Sequence, residues 1–152
     1  MLKVTDSTLS FIKSFEGCRL NAYQDIAGVW TIGWGTTVYP TGVHVKKGDH
    51  IAQGYADYMI EKMANQYAQH ASEYLKVSLN TEQNDAVVDF VYNAGVGAFA
   101  GSTLLKRINA DPSDPLITDA FMMWDKYHHD GQLVVSEDLF KRRQEEAKLY
   151  FS

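Results

Sequence analysis

Apolar residues recur at helical spacing along most of the chain and alternate at strand spacing only near its start. Leu9, Ile12 and Phe15 form one stripe, with Asp6 and Ser7 placed to cap the helix and Gly17 to end it. Residues 22 to 39 are rich in Val, Trp, Thr, Ile and Gly and predict strands and turns, closed by the turn Pro40-Thr41-Gly42. From about 52 to 74 the pattern is helical again. Tyr55, Met59, Met63, Tyr67 and Leu75 lie near one face, and a helix this long can bridge two lobes. Asn80 or Thr81 caps a helix through Val87, Val88, Val91 and Tyr92 that stops at Ala94-Gly95-Val96-Gly97. Ser102 or Thr103 opens a short one carrying Leu104, Leu105 and Ile108. After the break Asp111-Pro112-Ser113-Asp114-Pro115, a helix is predicted to about Lys126. A last one starts at Ser136, with Leu139, Arg143, Ala147 and Tyr150 in its pattern. The expectation is a mostly helical α+β protein of two lobes forming one domain, 1–152. A small lobe of about 17–50 leads through the bridging helix, about 52–74, to a helical lobe of about 80–152 that packs with helix 6–16.

Composition narrows the function without changing this picture. A chain of 152 residues buries a real core. Its net charge of −5 argues against a protein built to bind nucleic acid. No run approaches the roughly 20 apolar residues of a membrane-spanning helix. The start Met1-Leu2-Lys3-Val4-Thr5-Asp6 lacks the pattern of a signal peptide, so the chain shows no export route of its own and is expected in the host cytoplasm when it is made. Cys18 is alone and no activating base is marked for it, so it reads as a small half-buried residue rather than a nucleophile.

The chemistry concentrates between residues 16 and 35. If Gly28 centres the hairpin turn, residues whose numbers sum to 56 oppose each other, and Asp25 faces Thr31. Opposed Cβ atoms stand about 4.5–5.5 Å apart, close enough for a carboxylate and a hydroxyl to hold a water between them. Thr31, Gly33 and Gly35 then share a nearly bare face that a ligand can approach, while Trp30, Ile32 and Trp34 form a packing face. Glu16 closes the first helix, where the dipole disfavours an anion and Phe15 adds an apolar neighbour. Both favour the protonated carboxyl that a general acid needs. One protonated acid, one carboxylate and one water-holding hydroxyl suit an inverting glycosidase. Against this, most acidic pairs in a chain with 19 acidic residues are simply solvated surface.

The string Glu16-Gly17, Arg19-Leu20, Ala22-Tyr23, Asp25 and Gly28-Val29-Trp30-Thr31-Ile32-Gly33-Trp34-Gly35 resembles the phage-type lysozymes, the endolysin muramidases of glycoside hydrolase family 24. Two further blocks agree: Asp89 to Phe99 with Ser102-Thr103-Leu104-Leu105, and Leu139 to Glu146. The resemblance implies a two-lobed lysozyme fold that hydrolyses the β-1,4 bond between N-acetylmuramic acid and N-acetylglucosamine in peptidoglycan and so lyses the host wall. It implies Glu16 as the acid, Asp25 acting on water, Thr31 helping to hold that water, and no metal or cofactor. It makes Gly33, Gly35, Tyr92, Asn93 and Ser102 substrate-binding candidates, although Tyr92 fits an apolar core position equally well. A holin would open the membrane for the enzyme to reach the wall, and a monomer is expected. Many relatives carry His where this chain has Thr36, and many are basic.

Other signals are weaker. His128-His129-Asp130 reads as a polar loop near the cleft, because adjacent residues rarely converge on one metal ion. Lys141, Arg142, Arg143 and Lys148 are interrupted by Glu145 and Glu146, which suggests a solvated helix with internal ion pairs. An arginine from it could instead reach Glu16, with Arg143 preferred because it lies on the apolar period. Two rivals remain. A lytic transglycosylase would use Glu16 alone, and a non-catalytic peptidoglycan-binding or virion module would need none of the three.

Overall fold

The computed structural model describes all 152 residues. Helix α1 (Asp6–Glu16) begins at Thr5, whose side chain accepts from the Thr8 amide while Thr8 returns a bond to the Thr5 amide. This reciprocal cap explains why the helix starts one residue before the expected Asp6 or Ser7 cap. Gly17, at φ 61°, turns the chain out of it. Strands β1 (Arg19–Gln24) and β2 (Trp30–Gly33) follow as an antiparallel hairpin.

The hairpin register differs from the expected one. Tyr23 faces Thr31 and Gln24 faces Trp30, so paired numbers sum to 54 near the turn. The loop has three residues, Ile26 to Gly28, and the Asp25 amide donates to the Val29 carbonyl at 2.9 Å. Gly28, at φ 81°, occupies the last loop position rather than the centre. That placement is normal for a three-residue loop, where a turn is followed by a left-handed glycine. Asp25 therefore stands diagonal to Thr31 on the same face, not directly across from it.

Helix α2 (Gln53–Ser72) ties the halves of the molecule together. Its Ala56 and Met59 join Ile32, Val45 and Ile51 in a small apolar cluster. Its Ile60, Ala64, Ala68 and Ala71 enter a larger cluster of 20 buried residues. Of the expected tyrosine and methionine stripe, Met59 is buried and Tyr67 and Leu75 pack against the larger cluster, while alanines take most of the core positions. Alanines let the neighbouring helices approach, and Tyr55 is exposed. Trp34 packs against both clusters, and its indole donates to Asp57 of α2 at 2.8 Å.

Helix α3 (Thr81–Ala94) is the central helix, with every residue from Asn84 to Val91 buried. Asn80 and Gln83 cap it reciprocally, as Asn80 promised. The short α4 (Val96–Ala100) went unpredicted. Ser102 caps α5 (Thr103–Ala110), and α6 covers only Ile117–Met122. The chain then forms a second hairpin, β3 (Lys126–His129) and β4 (Gln132–Val135), instead of continuing as helix and polar loop. Its turn is Asp130-Gly131, both at positive φ (49° and 77°). Asp-Gly between alternating residues is a strong two-residue turn signal, and it was legible here. Helix α7 (Glu137–Tyr150), capped by Ser136, packs against α3 and α6. It is not a solvated helix on all sides, because Arg142, Arg143 and Glu146 are buried.

The Asp57 carboxylate accepts from Trp34 and Gln53 and lies 4.0 Å from Lys13. Chiefly the bonds from Trp34 and Gln53 hold its carboxyl below the usual range. A carboxyl depressed in the folded state contributes stability that is present above its unfolded value, near pH 4, and lost as pH falls through the folded value. Thermal melts from pH 7 to pH 2 should therefore show Asp57→Asn losing less Tm on acidification than the natural chain. Parallel curves would remove Asp57 from the acid response.

Candidate active site

A cleft of about 360 Å³ runs between the first hairpin and the helices, with Glu16, Tyr23, Asp25, Thr31, Tyr92 and Asn93 on its walls. Glu16 enters from the last residue of α1, and its carboxylate is held from two sides. Arg142 Nη1 of α7 donates to Glu16 Oε1 at 2.6 Å. The same guanidinium grips Asp89 of α3 at two points, Nε to Oδ2 at 2.9 Å and Nη2 to Oδ1 at 2.8 Å. Burial opposes a charge on Arg142, but Asp89 and then Glu16 hold its proton more firmly than water would. The arginine at Glu16 is thus Arg142, not the preferred Arg143. A helix places Arg142 one position round from the apolar stripe, where it reaches between α1 and α3.

On the other side lies Gly35, at φ 88°. A Cβ there would come within 2.8 Å of the Glu16 Cδ and closer still to Oε2. Gly35 leaves room for the carboxylate rather than for a sugar. Gly33 faces away from the cleft, since a Cβ on it would touch Ala56 and Ile51 at 3.4 Å. Neither glycine offers the bare ligand face expected of them, although Gly35 does border the cleft. Ser102 is likewise structural. It is buried, caps α5 through Leu105, donates to the Phe99 carbonyl at 2.7 Å, and does not line the cleft.

Asp25 and Thr31 form the opposite wall. Asp25 Oδ1 accepts from the amides of Ala27 and Val29, both at 2.9 Å. Its Oδ2 takes no protein donor and is left to the cleft. The Thr31 hydroxyl, in a side chain only 4% exposed, spends its proton on the Val29 carbonyl at 2.9 Å and keeps its lone pairs free. Tyr23, opposite Thr31, completes this wall, with Arg19 stacked 4.4 Å over its ring. Burial first, then Glu16, pushes its phenol up. Sequence reasoning missed Tyr23, though it lies one strand period before Asp25. It also missed Met63 and Tyr67 of α2, which line the cleft.

Tyr92 serves both roles weighed for it. It lines the cleft, packs edge-on to Tyr67 at 6.0 Å, and donates to the Trp34 carbonyl at 2.8 Å, joining α3 to the hairpin side. Asn93 follows at the cleft wall and accepts from Arg143 Nη2 at 2.8 Å. Thr36, which stands where the resemblance places a His in many relatives, is 5% exposed and its hydroxyl has no hydrogen-bond partner. His128 and His129 sit on β3 and do not line the cleft.

The two-lobed α+β fold, with Glu16 and Asp25 lining one cleft, is that of a lysozyme-type glycosidase. A phage lysozyme family model matches residues 13–146. The chain is 35% identical over 151 residues to an endolysin of Acyrthosiphon pisum secondary endosymbiont phage 1, covering 99% of each. It is 32% identical over 152 residues to the endolysin of Salmonella phage P22, covering 100% of each. The solved endolysin from Escherichia coli O157:H7 phage FAHEc1 superposes with a TM-score of 0.88 at 34% identity, over 98% of this chain and 93% of that one. The chain belongs to the phage lysozyme family.

Two outcomes follow from this packing. Replacing Arg142 with Met leaves Asp89, which is fully buried, without its cation. Loss of about 3–5 kcal/mol is expected in urea unfolding, because an uncompensated buried charge remains. Gly35→Ala should keep the fold yet displace the Glu16 carboxylate and lower kcat on the order of 100-fold. Unchanged kcat in that variant would mean the carboxylate's place is not set by Gly35.

Proposed function

We propose that Glu16, Asp25 and Thr31 carry out the peptidoglycan hydrolysis of this endolysin by an inverting acid–base route. The geometry that supports this best is the contrast between the walls. Glu16 is clamped on one, and Asp25 presents a free oxygen beside the Thr31 hydroxyl on the other.

Glu16 protonates the glycosidic oxygen between N-acetylmuramic acid and N-acetylglucosamine as the β-1,4 bond breaks. Its Oε1 is occupied by Arg142, which leaves Oε2 to carry that proton. Asp89 already matches the Arg142 charge at two points, so a neutral Glu16 does not leave the guanidinium unpaired. A water on the opposite face of the sugar donates one hydrogen to Asp25 Oδ2 and the other to Thr31. The Thr31 hydroxyl can accept because its own proton is committed to Val29. Both hydrogens being engaged, the water's lone pair points at the anomeric carbon. Asp25 takes a proton as the bond forms, and the configuration inverts.

The chain acts as one domain, 1–152. A small lobe of about 17–50 carries Asp25 and Thr31, α2 lies in the bridging segment of about 52–74, and the helical lobe of about 80–152 packs with α1. No helix is long and apolar enough to cross a membrane. We infer that a holin opens the way to the wall, and that a monomer suffices because one chain supplies both cleft walls.

Reducing-end release from borohydride-reduced peptidoglycan tests the reading. Glu16→Gln should fold normally and lose about 10²–10⁴-fold in rate. Asp25→Ala and Thr31→Ala should lose most activity while still binding glycan. New muramic acid reducing ends that vanish in Glu16→Gln are expected. A fully active Glu16→Gln, or anhydromuramic ends, would overturn this mechanism.

A further inference from the structure

Asn93 ends the buried polar cluster at the cleft, and its amide can face only one way. Arg143 Nη2 lies 2.8 Å from Asn93 Oδ1. Arginine has five donors and no acceptor, so the atom meeting it must be the amide oxygen. A flipped amide would set NH₂ against a guanidinium. Arg143 cannot turn aside to allow this. It is 1% exposed, its Nη2 also donates to Glu146 Oε1 at 2.8 Å, its Nε is 2.8 Å from Glu146 Oε2, and its guanidinium lies 5.0 Å over the Phe90 ring. Glu146 is itself fully buried on α7. The Asn93 side chain is exposed to the cleft, and its Nδ2 has no acceptor in the protein.

We propose that Asn93 determines specificity by donating from Nδ2 to an N-acetyl carbonyl of the glycan, and that Arg143 is the positioning residue that fixes the amide in this sense. The inference rests on the glycan-cleaving reading of the cleft. A sugar hydroxyl can donate or accept and is indifferent to which end of an amide it meets. An acetamido carbonyl can only accept, so it matches the fixed Asn93 donor and would be refused by a flipped amide. De-N-acetylation replaces that acceptor with an ammonium, which only donates, and the contact becomes repulsive. The arrangement therefore discriminates N-acetylated from de-N-acetylated strands at this position.

The test measures binding and needs no turnover. In a Glu16→Gln background, calorimetry would compare a β-1,4-linked N-acetylglucosamine tetrasaccharide with its de-N-acetylated counterpart. The parent should favour the acetylated sugar. Asn93→Asp keeps an acceptor for Arg143 and so keeps the fold, but puts an acceptor where the donor was. It should bind the acetylated sugar about tenfold more weakly and narrow or reverse the preference. Arg143→Lys keeps a donor behind Asn93 and should keep the preference, whereas Arg143→Met frees the amide and should reduce it. Equal preference in the parent and Asn93→Asp would overturn the proposal, whether or not the Arg143 variants fold. Binding of neither sugar by the parent would overturn the cleft assignment itself. Residual hydrolysis by Glu16→Gln would sink only the acid role and leave the preference ratio readable.

Discussion

The site depends on a single buried guanidinium. Arg142 joins α7 to α3 through Asp89, 53 residues away in the chain, and to α1 through Glu16, 126 residues away. Burying a cation among helices costs several kcal/mol unless each donor is met. Here three nitrogens meet carboxylate oxygens, and the face of the group lies 5.0 Å from the Phe15 ring. The arrangement cannot be loosened piecemeal, because removing one partner strands another in a dry interior. A rigidly held carboxyl is the consequence. Glu16 would otherwise swing from a helix end that has only Gly17 beyond it.

The rest of the fold brings the opposite wall to this fixed point. Trp34 packs in both apolar clusters, α2 feeds residues to each, and Tyr92 bonds the Trp34 carbonyl from α3. Trp34 precedes Gly35, so the backbone held by the indole and by Tyr92 is the backbone that grazes the Glu16 carboxylate. Packing between the two halves is thereby converted into the position of one carboxyl. Asp25 is set more locally. Its own loop amides fix one oxygen and leave the other free, which is why a three-residue turn matters more here than the opposed pair expected from a centred glycine.

Local rules made much of this legible. Asn80, Ser102 and Ser136 cap helices where their side chains suggested, and Gly17 and Gly95 end helices at positive φ. Glu16, Asp25 and Thr31 stand at one cleft because short-range signals, a helix end and a hairpin, carry them there. The illegible parts are long-range. Nothing in Arg142-Arg143 says which guanidinium meets α1, since both are charged and the periodic rule prefers the residue aligned with Ala147 and Tyr150. Gly33 and Gly35 look alike in sequence, yet one packs on Ala56 and the other on Glu16. Only the approach of a distant element separates them. The Asp130-Gly131 hairpin is a different case: its signal is local, yet the pattern reads as a helix to about Lys126 followed by a polar loop at His128-His129-Asp130.

A neighbouring cation favours a carboxylate over the neutral carboxyl, whereas the proposed route asks Glu16 to carry a proton. The wider cluster alters that balance. Three carboxyls, Glu16, Asp89 and Glu146, share two guanidiniums, and the group is neutral only when it holds one proton. Burial, and then the Asp89 carboxylate, push Glu146 upward against the pull of Arg143. Asp89 meets the Arg142 guanidinium at two points. Glu146 is closed inside the protein, and Glu16 is the member of the cluster that opens on the cleft. A salt bridge shared in this way fixes the Glu16 carboxyl in space while Asp89 answers the charge of the guanidinium, which a simple one-to-one pair could not do.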